Sequence, residues 1–490
     1  MNILNNKVYY CIVFILSSLI IGLPVFAQPP DTLWLRTYGG LLSDGGRDVI
    51  QTSDNGYLIA GWTWSFGPGR SDIFLVKTNA YGDTLWTRAW GSLFSDHYPS
   101  IVELSDTTYV IAYTRGLTTG NADIGLVRID ATGDTLWTRS YGSLTVDGCY
   151  DITRTIDSGL VLVGWTYAGA GGSDIYVIKT DMNGDTLWTR TYGGTEDDYG
   201  YSVQQTDDHG YIITGFTNSF SSGSYDIYTI KINENGGMLW SDVLGGSADD
   251  FGYGVQKTAD SSYIVVGATW SFGIGTPLNS NVLIAKYHPS GDTAWTKVYG
   301  AYENERAYSI AQTIDSNFII TGYTDSYGNG ADDVYLLKID ANSDTLWTAT
   351  YGGPDHDHGF SIIQDKDTSY TITGSTLSFG AGDYDMFLLK TETDHAIAER
   401  YRADKSVHGI YLYPNPFSHT VEISWPSTDP GSMIKIYDIT GRMVKKFDKS
   451  LDKISWSGDD QNGNALANGI FIIVCKGSSV CQARSVALIR

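Results

Sequence analysis

Apolar and polar residues alternate along most of this chain in short runs, and clusters of Gly, Asp, Asn and Ser separate the runs. Residues 201–240 show the pattern in full. Tyr201-Ser202-Val203-Gln204-Gln205-Thr206 alternates, and Asp207-Asp208-His209-Gly210 carries turn chemistry. A second run follows at 211–217, then a loop of Ser and Gly to Tyr225. Asp226 opens a third run at 227–232, and Asn235-Gly236 turns the chain into Met238-Leu239-Trp240. A period of two with such turns predicts four short antiparallel strands. No stretch sustains an apolar period of 3.6, so the region is predicted to be all-β.

The four-run unit recurs. Asp-Thr-Leu-Trp or a near variant occurs seven times, and its tryptophans (Trp34, Trp86, Trp137, Trp188, Trp240, Trp295, Trp347) stand 51 to 55 residues apart. Self-similarity at a nearly fixed period marks a repeat architecture. Seven four-stranded units around an axis make a seven-bladed β-propeller, which leaves only short, protected sheet edges. The chain after the N-terminal apolar run opens with Asp31-Thr32-Leu33-Trp34-Leu35-Arg36-Thr37-Tyr38, a fourth strand with no three before it. After Lys390 the last unit has three strands and no Asp-Thr-Leu-Trp. The N-terminal strand is therefore expected to complete the last blade and lock the ring. An open β-solenoid is the alternative, but it would need atypical end caps. The propeller is expected over 28–394, a charged connector over 395–410 and a separate domain over 411–490.

Alternation also decides which repeated residues meet. Trp188, Arg190 and Tyr192 share one strand face, as do Trp86-Arg88-Trp90 and Trp137-Arg139-Tyr141, so an arginine can stack between two rings at blade contacts. The third run carries a basic residue at Lys77, Arg128, Lys179, Lys231, Lys286, Lys338 and Lys390. Five residues upstream stands Asp72, Asp123, Asp174, Asp226, Asn281, Asp333 or Asp385. A carboxylate at a strand start can accept turn N–H groups, which makes this ring scaffold. The competing reading is one acidic ligand site per blade.

At 490 residues the chain exceeds one ordinary core. Lys7, an apolar run from Tyr9 to about Ile21 and Pro24-Val25-Phe26-Ala27 form the layout of a cleaved secretory signal over 1–27. The run is short for a membrane span of about 20 residues, and no transmembrane segment is expected after cleavage. A net charge of −23 makes nucleic acid and anionic membrane surfaces poor partners. Cys475 and Cys481 flank a five-residue stretch that a hairpin could fold to bring them opposite each other, and Cys149 is expected to be a small buried residue.

Features present in every copy are most simply scaffold, so a site is sought where copies differ. The fifth unit carries an insertion at Gly275-Thr276-Pro277-Leu278-Asn279-Ser280, a candidate binding rim. The seventh has Asp355-His356-Asp357-His358, whose histidines two apart point the same way on extended chain and could share a metal with a carboxylate. There is no Gly-x-Ser-x-Gly, no His-Glu-x-x-His and no phosphate-binding glycine loop, and no cofactor or catalytic residue is identified. Asp-rich turns such as Asp181-Met182-Asn183-Gly184-Asp185 lack the Glu that closes a calcium-binding loop. That turn resembles the Asp-box hairpin of sialidase-type propellers, and Asp130-Ala131-Thr132-Gly133-Asp134-Thr135-Leu136-Trp137 resembles the repeat of quinoprotein-type propellers; only the hairpin geometry is carried over.

From Ile410 the texture changes. Short alternating runs with regular turns over about 80 residues read as a small β-sandwich. Tyr413-Pro414-Asn415-Pro416-Phe417, Ile436-Tyr437-Asp438 with Gly441-Arg442, Trp456 followed by Gly458, Asp459 and Gly463, and Asn468-Gly469-Ile470-Phe471 resemble, in order, the C-terminal sorting domain of type IX secretion substrates. That domain is similar to the Ig-like domain of flagellar hook-cap proteins. The resemblance implies an Ig-like fold, the secretion machinery as a partner, and release from the cell or attachment to the outer-membrane surface. For the propeller, the expectation is a non-enzymatic binding module for a glycan or protein ligand. A secreted glycosidase-like hydrolase with carboxylates at the channel mouth, or a purely structural surface repeat, are the alternatives.

Overall fold

The computed structural model describes residues 29–394, apart from 105, 106, 119 and 170, and most of 411–488. The expected signal and connector lie outside the described residues, as do Pro414, Asn415, Pro416 and Gly441. Seven four-stranded antiparallel sheets form between residues 32 and 391. Blades 1 to 6 take four consecutive strands each, over 44–90, 97–141, 147–192, 198–244, 250–299 and 305–351. Blade 7 combines Asp357–Gln364, Tyr370–Thr376 and Asp385–Thr391 with Thr32–Tyr38 as its outer strand. Trp34 pairs with Lys390 and Tyr38 with Met386, and the Glu392 N–H donates to the Asp31 carbonyl at 2.7 Å. The first strand of blade 1 packs on blade 7, so the ring is closed and the solenoid alternative falls.

Blades stack face to face, so their middle strands are covered on both sides. Tyr211–Thr217 and Asp226–Ile232 are buried at every position, whereas the outer Met238–Leu244 is half exposed. The apolar clusters accordingly span blade pairs: Val161, Val163, Ile175 and Val177 of blade 3 pack with Val203, Ile213, Tyr228 and Ile230 of blade 4.

The outer strand of each blade grips the next blade's hairpin. Trp86 Nε1 and Arg88 donate to the carbonyls of Ala131 and Thr132, both at 3.0 Å, and the Tyr192 hydroxyl donates to the Gly236 carbonyl at 2.6 Å. Each arginine stacks on its tryptophan, with Arg139 5.2 Å from the Trp137 ring centre. The second aromatic of the triplet instead reaches across to the neighbouring turn, as Tyr38, Tyr141 and Tyr192 do. Gly82 sits in that turn with φ of 78°, and a Cβ on it would lie 2.8 Å from the Trp34 ring. The turn glycine is required both for its left-handed backbone and for the tryptophan it receives.

In the C-terminal region, the sheet of Tyr411–Tyr413, Val421–Ser424 and Lys453–Trp456 and the sheet of Met443–Asp448, Met433–Asp438, Gly469–Lys476 and Cys481–Leu488 share one core. Trp456 is fully buried in it, and its Nε1 donates to the Asp459 carbonyl at 2.8 Å. Gly458 and Gly463 take φ of 68° and 84° in the adjoining loop, and Lys445 pairs with Asp459. Strand register sets Cys475 against Gln482 and Cys481 against Lys476, so the two cysteines are one position out of opposition. Cys149 is free and buried.

Candidate functional site

Strand order puts the loops between second and third strands, and those entering each blade, on one face of the ring; the tight hairpins occupy the other. Alternation places the first strand of blade 4 at 201–206, but it runs Asp198–Gln205. The added residues contain a bulge, with register slipping between Gly200 and Ser202. A slip occurs in the first strand of all seven blades. A bulge re-aims a side chain. Here it supplies one residue per blade to the axis.

Those residues close the channel. Tyr98, Tyr150, Tyr201, Tyr253, Tyr308 and Phe360 follow one another at ring-centre separations of 4.4 to 5.3 Å. Arg47 completes the circle, 5.6 Å from the Phe360 ring centre and 5.9 Å from that of Tyr98. Burial pushes the phenols of Tyr150, Tyr253 and Tyr308 up, and that of Tyr201 up to about 12. Beside it lies a cavity of about 150 Å³ lined by Asp48, Ser100, Asp151 and Ser202 among others. That is below the roughly 300–1,000 Å³ of ordinary ligand pockets.

Asp48 and Asp151 are the carboxylates that line this cavity, and both are stitched into the ring. Asp48 accepts from the N–H groups of Ile101 and Val49, both at 2.8 Å, and from Ser361 and Ser100. Asp151 accepts from the N–H of Ile152 at 2.8 Å and of Val203 at 2.9 Å and from Ser202, and the single Ser100 hydroxyl proton is shared between it and Asp48. Each of the four carboxylate oxygens accepts a backbone N–H.

A second set of acids lies at the blade junctions. Asp72 accepts the Gly69 N–H at 2.9 Å and Asp96 the Ser92 N–H at 2.7 Å. Both flank Gly91, where a Cβ would lie 1.6 Å from Asp72 Oδ1 and 2.8 Å from Asp96 Oδ2. The arrangement repeats at Gly39, Gly193, Gly245 and Gly352. Asp72, Asp226, Asp333 and Asp385 are almost wholly buried, and each accepts an N–H of the turn before it.

These acids set the pH response. Burial raises the carboxyls of Asp72, Asp96, Asp250, Asp333 and Asp385 above their ordinary value. It raises Asp151 to about 7, with the charge of Asp48 adding to the effect against the hydrogen bonds. A folded-state pKa above the unfolded value means stability that is present at low pH and lost as pH rises through the folded pKa. Asp54 and Asp208 behave oppositely: burial is outweighed by hydrogen bonds from Lys77 or Lys231 and the turn threonine, leaving them at about 2. Their contribution is present above about pH 4 and lost as pH falls towards 2. The melting temperature is expected to rise from pH 8 to pH 5 and to fall again below pH 3, as fluorimetry across that range would measure; a maximum at pH 8 would contradict this assignment.

The repeat breaks most sharply where blade 6 meets blade 7 on the loop face. His356 Nδ1 and His358 Nε2 converge on Asp332 Oδ2 at 2.9 and 2.7 Å. One ligand atom from each of the three lies within 4.8 Å of the others. Burial works against the Asp332 carboxylate, but hydrogen bonds from His358, Asp325 and His356 outweigh it and hold its pKa below the ordinary value. Asp325 is raised to about 6 by burial, with its contact to Asp332 next. The other two candidates lie elsewhere. Asp355 offers its N–H to Ser378, and Asp357 is buried, accepting from the Gly353 N–H and the Thr376 hydroxyl.

The insertion in blade 5 lies on the same face, where it exposes Leu278. Five blades also present an aromatic there. The second strand ends in Thr63, Thr217, Thr269, Thr324 or Thr376, whose hydroxyl accepts the N–H of Phe66, Phe220, Phe272, Tyr327 or Phe379 at 3.1 to 3.2 Å. These rings are 38% to 50% exposed. Phe66, Phe220, Phe272 and Phe379 lie beside Gly40, Gly194, Gly246 and Gly353, where a Cβ would meet the preceding serine at 2.6 to 2.7 Å.

Residues 411–486 match the family described as the secretion system C-terminal sorting domain. No curated protein matches the sequence. Similar solved structures include PorZ, an essential surface component of the type-IX secretion system of Porphyromonas gingivalis, at 13% identity over 89% of this chain and 69% of that one, with a TM-score of 0.34. The WD40 domain of Neurospora crassa Pan2 shares 8% identity over 74% of this chain and 95% of its own, with a TM-score of 0.47. The polysaccharide lyase Uly1 shares 10% over 73% and 92%, with a TM-score of 0.48. Similarity this remote says nothing about activity. The sorting-domain match and the closed ring of blades together identify a seven-bladed β-propeller that ends in a C-terminal sorting domain of type IX secretion, a protein addressed to the outer-membrane surface or beyond.

Proposed function

We propose that the propeller is a non-enzymatic binding module, secreted or attached to the cell surface, whose loop face takes a glycan built of repeating units. The carrying observation is the set of five half-exposed aromatics held in one geometry by the same threonine cap. Exposed apolar groups recurring on one face mark interaction surfaces. Flat rings at repeated positions suit the apolar faces of successive sugar units. A protein ligand remains the other class that such a face accommodates. A hydrolase is disfavoured because Asp48 and Asp151 are spent on hydrogen bonds beside a small cavity.

A glycan array and polysaccharide co-sedimentation with the full chain test this reading. Replacing one ring, as in Phe220→Ala, is expected to weaken binding about 5- to 10-fold, on the order of 1 kcal/mol. Changing all five to Ala should abolish it. Release of reducing ends from a bound glycan would overturn the non-enzymatic assignment, and undiminished binding by the five-ring variant would overturn the face.

A further inference from the structure

We propose that Asp332, His356 and His358, with Asp325 as a fourth oxygen donor, bind one divalent transition-metal ion of the zinc class at the junction of blades 6 and 7. Two imidazole nitrogens and carboxylate oxygens are the donors such ions take, at about 2.0–2.2 Å each. Both imidazole nitrogens already point at a single carboxylate oxygen, 2.9 and 2.7 Å away. Closing the set onto an ion needs only small side-chain shifts, because the three donor atoms lie within 4.8 Å of one another.

Comparison with the other junctions separates this arrangement from drift. At the positions equivalent to Asp332 stand Ser71, Ala122, Ser173, Tyr225, Ser280 and Tyr384, and at those equivalent to His356 stand Ser43, Ser95, Val146, Asp197, Asp249 and Asn304. His358 is replaced by Gly45, Gly148, Tyr199, Phe251 or Arg306 in five blades, and only blade 2 has a histidine there, His97, whose junction lacks the acids. Elsewhere the junction is an ordinary hydrogen bond: the Ser173 N–H donates to Asp197 at 2.8 Å and the Ser280 N–H to Asn304 at 3.1 Å. At the junction of blades 6 and 7, Asp332 from one chain segment and His356 and His358 from another have become ligand-type residues and meet at one place, with Asp325 in contact with Asp332. Asp325 and Asp332 come from one blade's loop and the histidines from the next blade's entry, so the ion would clamp two blades. His358 also packs on Tyr323, with ring centres 4.6 Å apart, which fixes its orientation.

The untagged, metal-stripped full chain titrated with Zn²⁺ by calorimetry, and with Co²⁺ by visible absorption, tests the site. One ion per chain is expected, with the intense visible bands of tetrahedral cobalt. His356→Ala with His358→Ala should weaken Zn²⁺ binding about 100-fold or more, and Asp332→Asn should weaken it while leaving the metal-free melting temperature close to that of the parent. His209→Ala, on an exposed turn of the opposite face, should bind as the parent does. No Zn²⁺ binding by the parent, or undiminished binding by the double-histidine variant, would overturn the proposal. The measurement uses no glycan, so its failure and that of the aromatic face are distinguishable.

Discussion

A chain that begins at Gly40 is expected not to form the cooperative propeller. It loses Thr32–Tyr38, the outer strand of blade 7, and leaves Asp385–Thr391 as a bare edge. The loss is large because the strand is a structural closure as well as a sheet member. Tyr38 is buried with Val49, Ile59 and Phe74 of blade 1, Trp34 meets Tyr57 edge-on at 6.1 Å, and Leu35 packs with Phe387 and Leu389. Two or three apolar side chains at about 1.5–3 kcal/mol each, with ladder hydrogen bonds at about 1 kcal/mol each, give on the order of 10 kcal/mol. That equals the whole stability of an ordinary domain, roughly 5–15 kcal/mol. Calorimetry of the truncated chain should show no cooperative transition, or one far below the parent. Grafting residues 29–39 behind residue 394 through a short linker should restore it, since Asp31 and Glu392 already meet at 2.7 Å. A truncated chain that melts where the parent does would show that the ring is not locked by this strand.

How far the fold was legible depended on which rule the backbone obeyed. The repeat of Trp34 to Trp347 and the orphan fourth strand at the N-terminus are enough to require seven blades and their mode of closure, because every strand wants a partner. The axial ring was hidden because alternation assumes an unbroken ladder. A bulge inserts one residue and reverses the face of everything beyond it. Tyr150, Tyr201, Tyr253, Tyr308 and Phe360 therefore read as ordinary strand residues, although each follows a small residue (Cys149, Gly200, Gly252, Ala307, Gly359) at the slip. The rim cluster was half visible. His356 and His358 point together by their spacing, and the same spacing turns Asp357 away from them. Asp332 could not be picked out, because it lies 24 residues before His356 and meets it only through the packing of two blades.

Lys338→Met is expected to cost far more than the same change at Lys77, although both lysines occupy the same repeat position. Lys77 pairs with Asp54 at 2.9 Å, and the Asp54 side chain is 56% exposed. Removing the lysine leaves a carboxylate that water solvates, and the loss should be within about 1 kcal/mol. Lys338 contacts Asp315 at 3.0 Å and Asp394 at 2.5 Å, and the side chains of Lys338 and Asp394 are fully buried. Asp394 lies just beyond the last strand and also accepts the Tyr370 hydroxyl at 2.8 Å, which seals the pair under the end of the propeller. Methionine keeps the bulk but leaves two buried carboxylates without a counter-charge, a loss of about 3–5 kcal/mol. At roughly 2 °C per kcal/mol for a large domain, the melting temperature should fall by about 6–10 °C, against about 2 °C or less for Lys77→Met. Asp394→Asn in the Lys338→Met background should recover part of the loss, because it removes one of the stranded charges, and a double-mutant cycle measures that coupling. Equal melting shifts for the two lysine variants would mean that Asp394 does not cover the pair in solution.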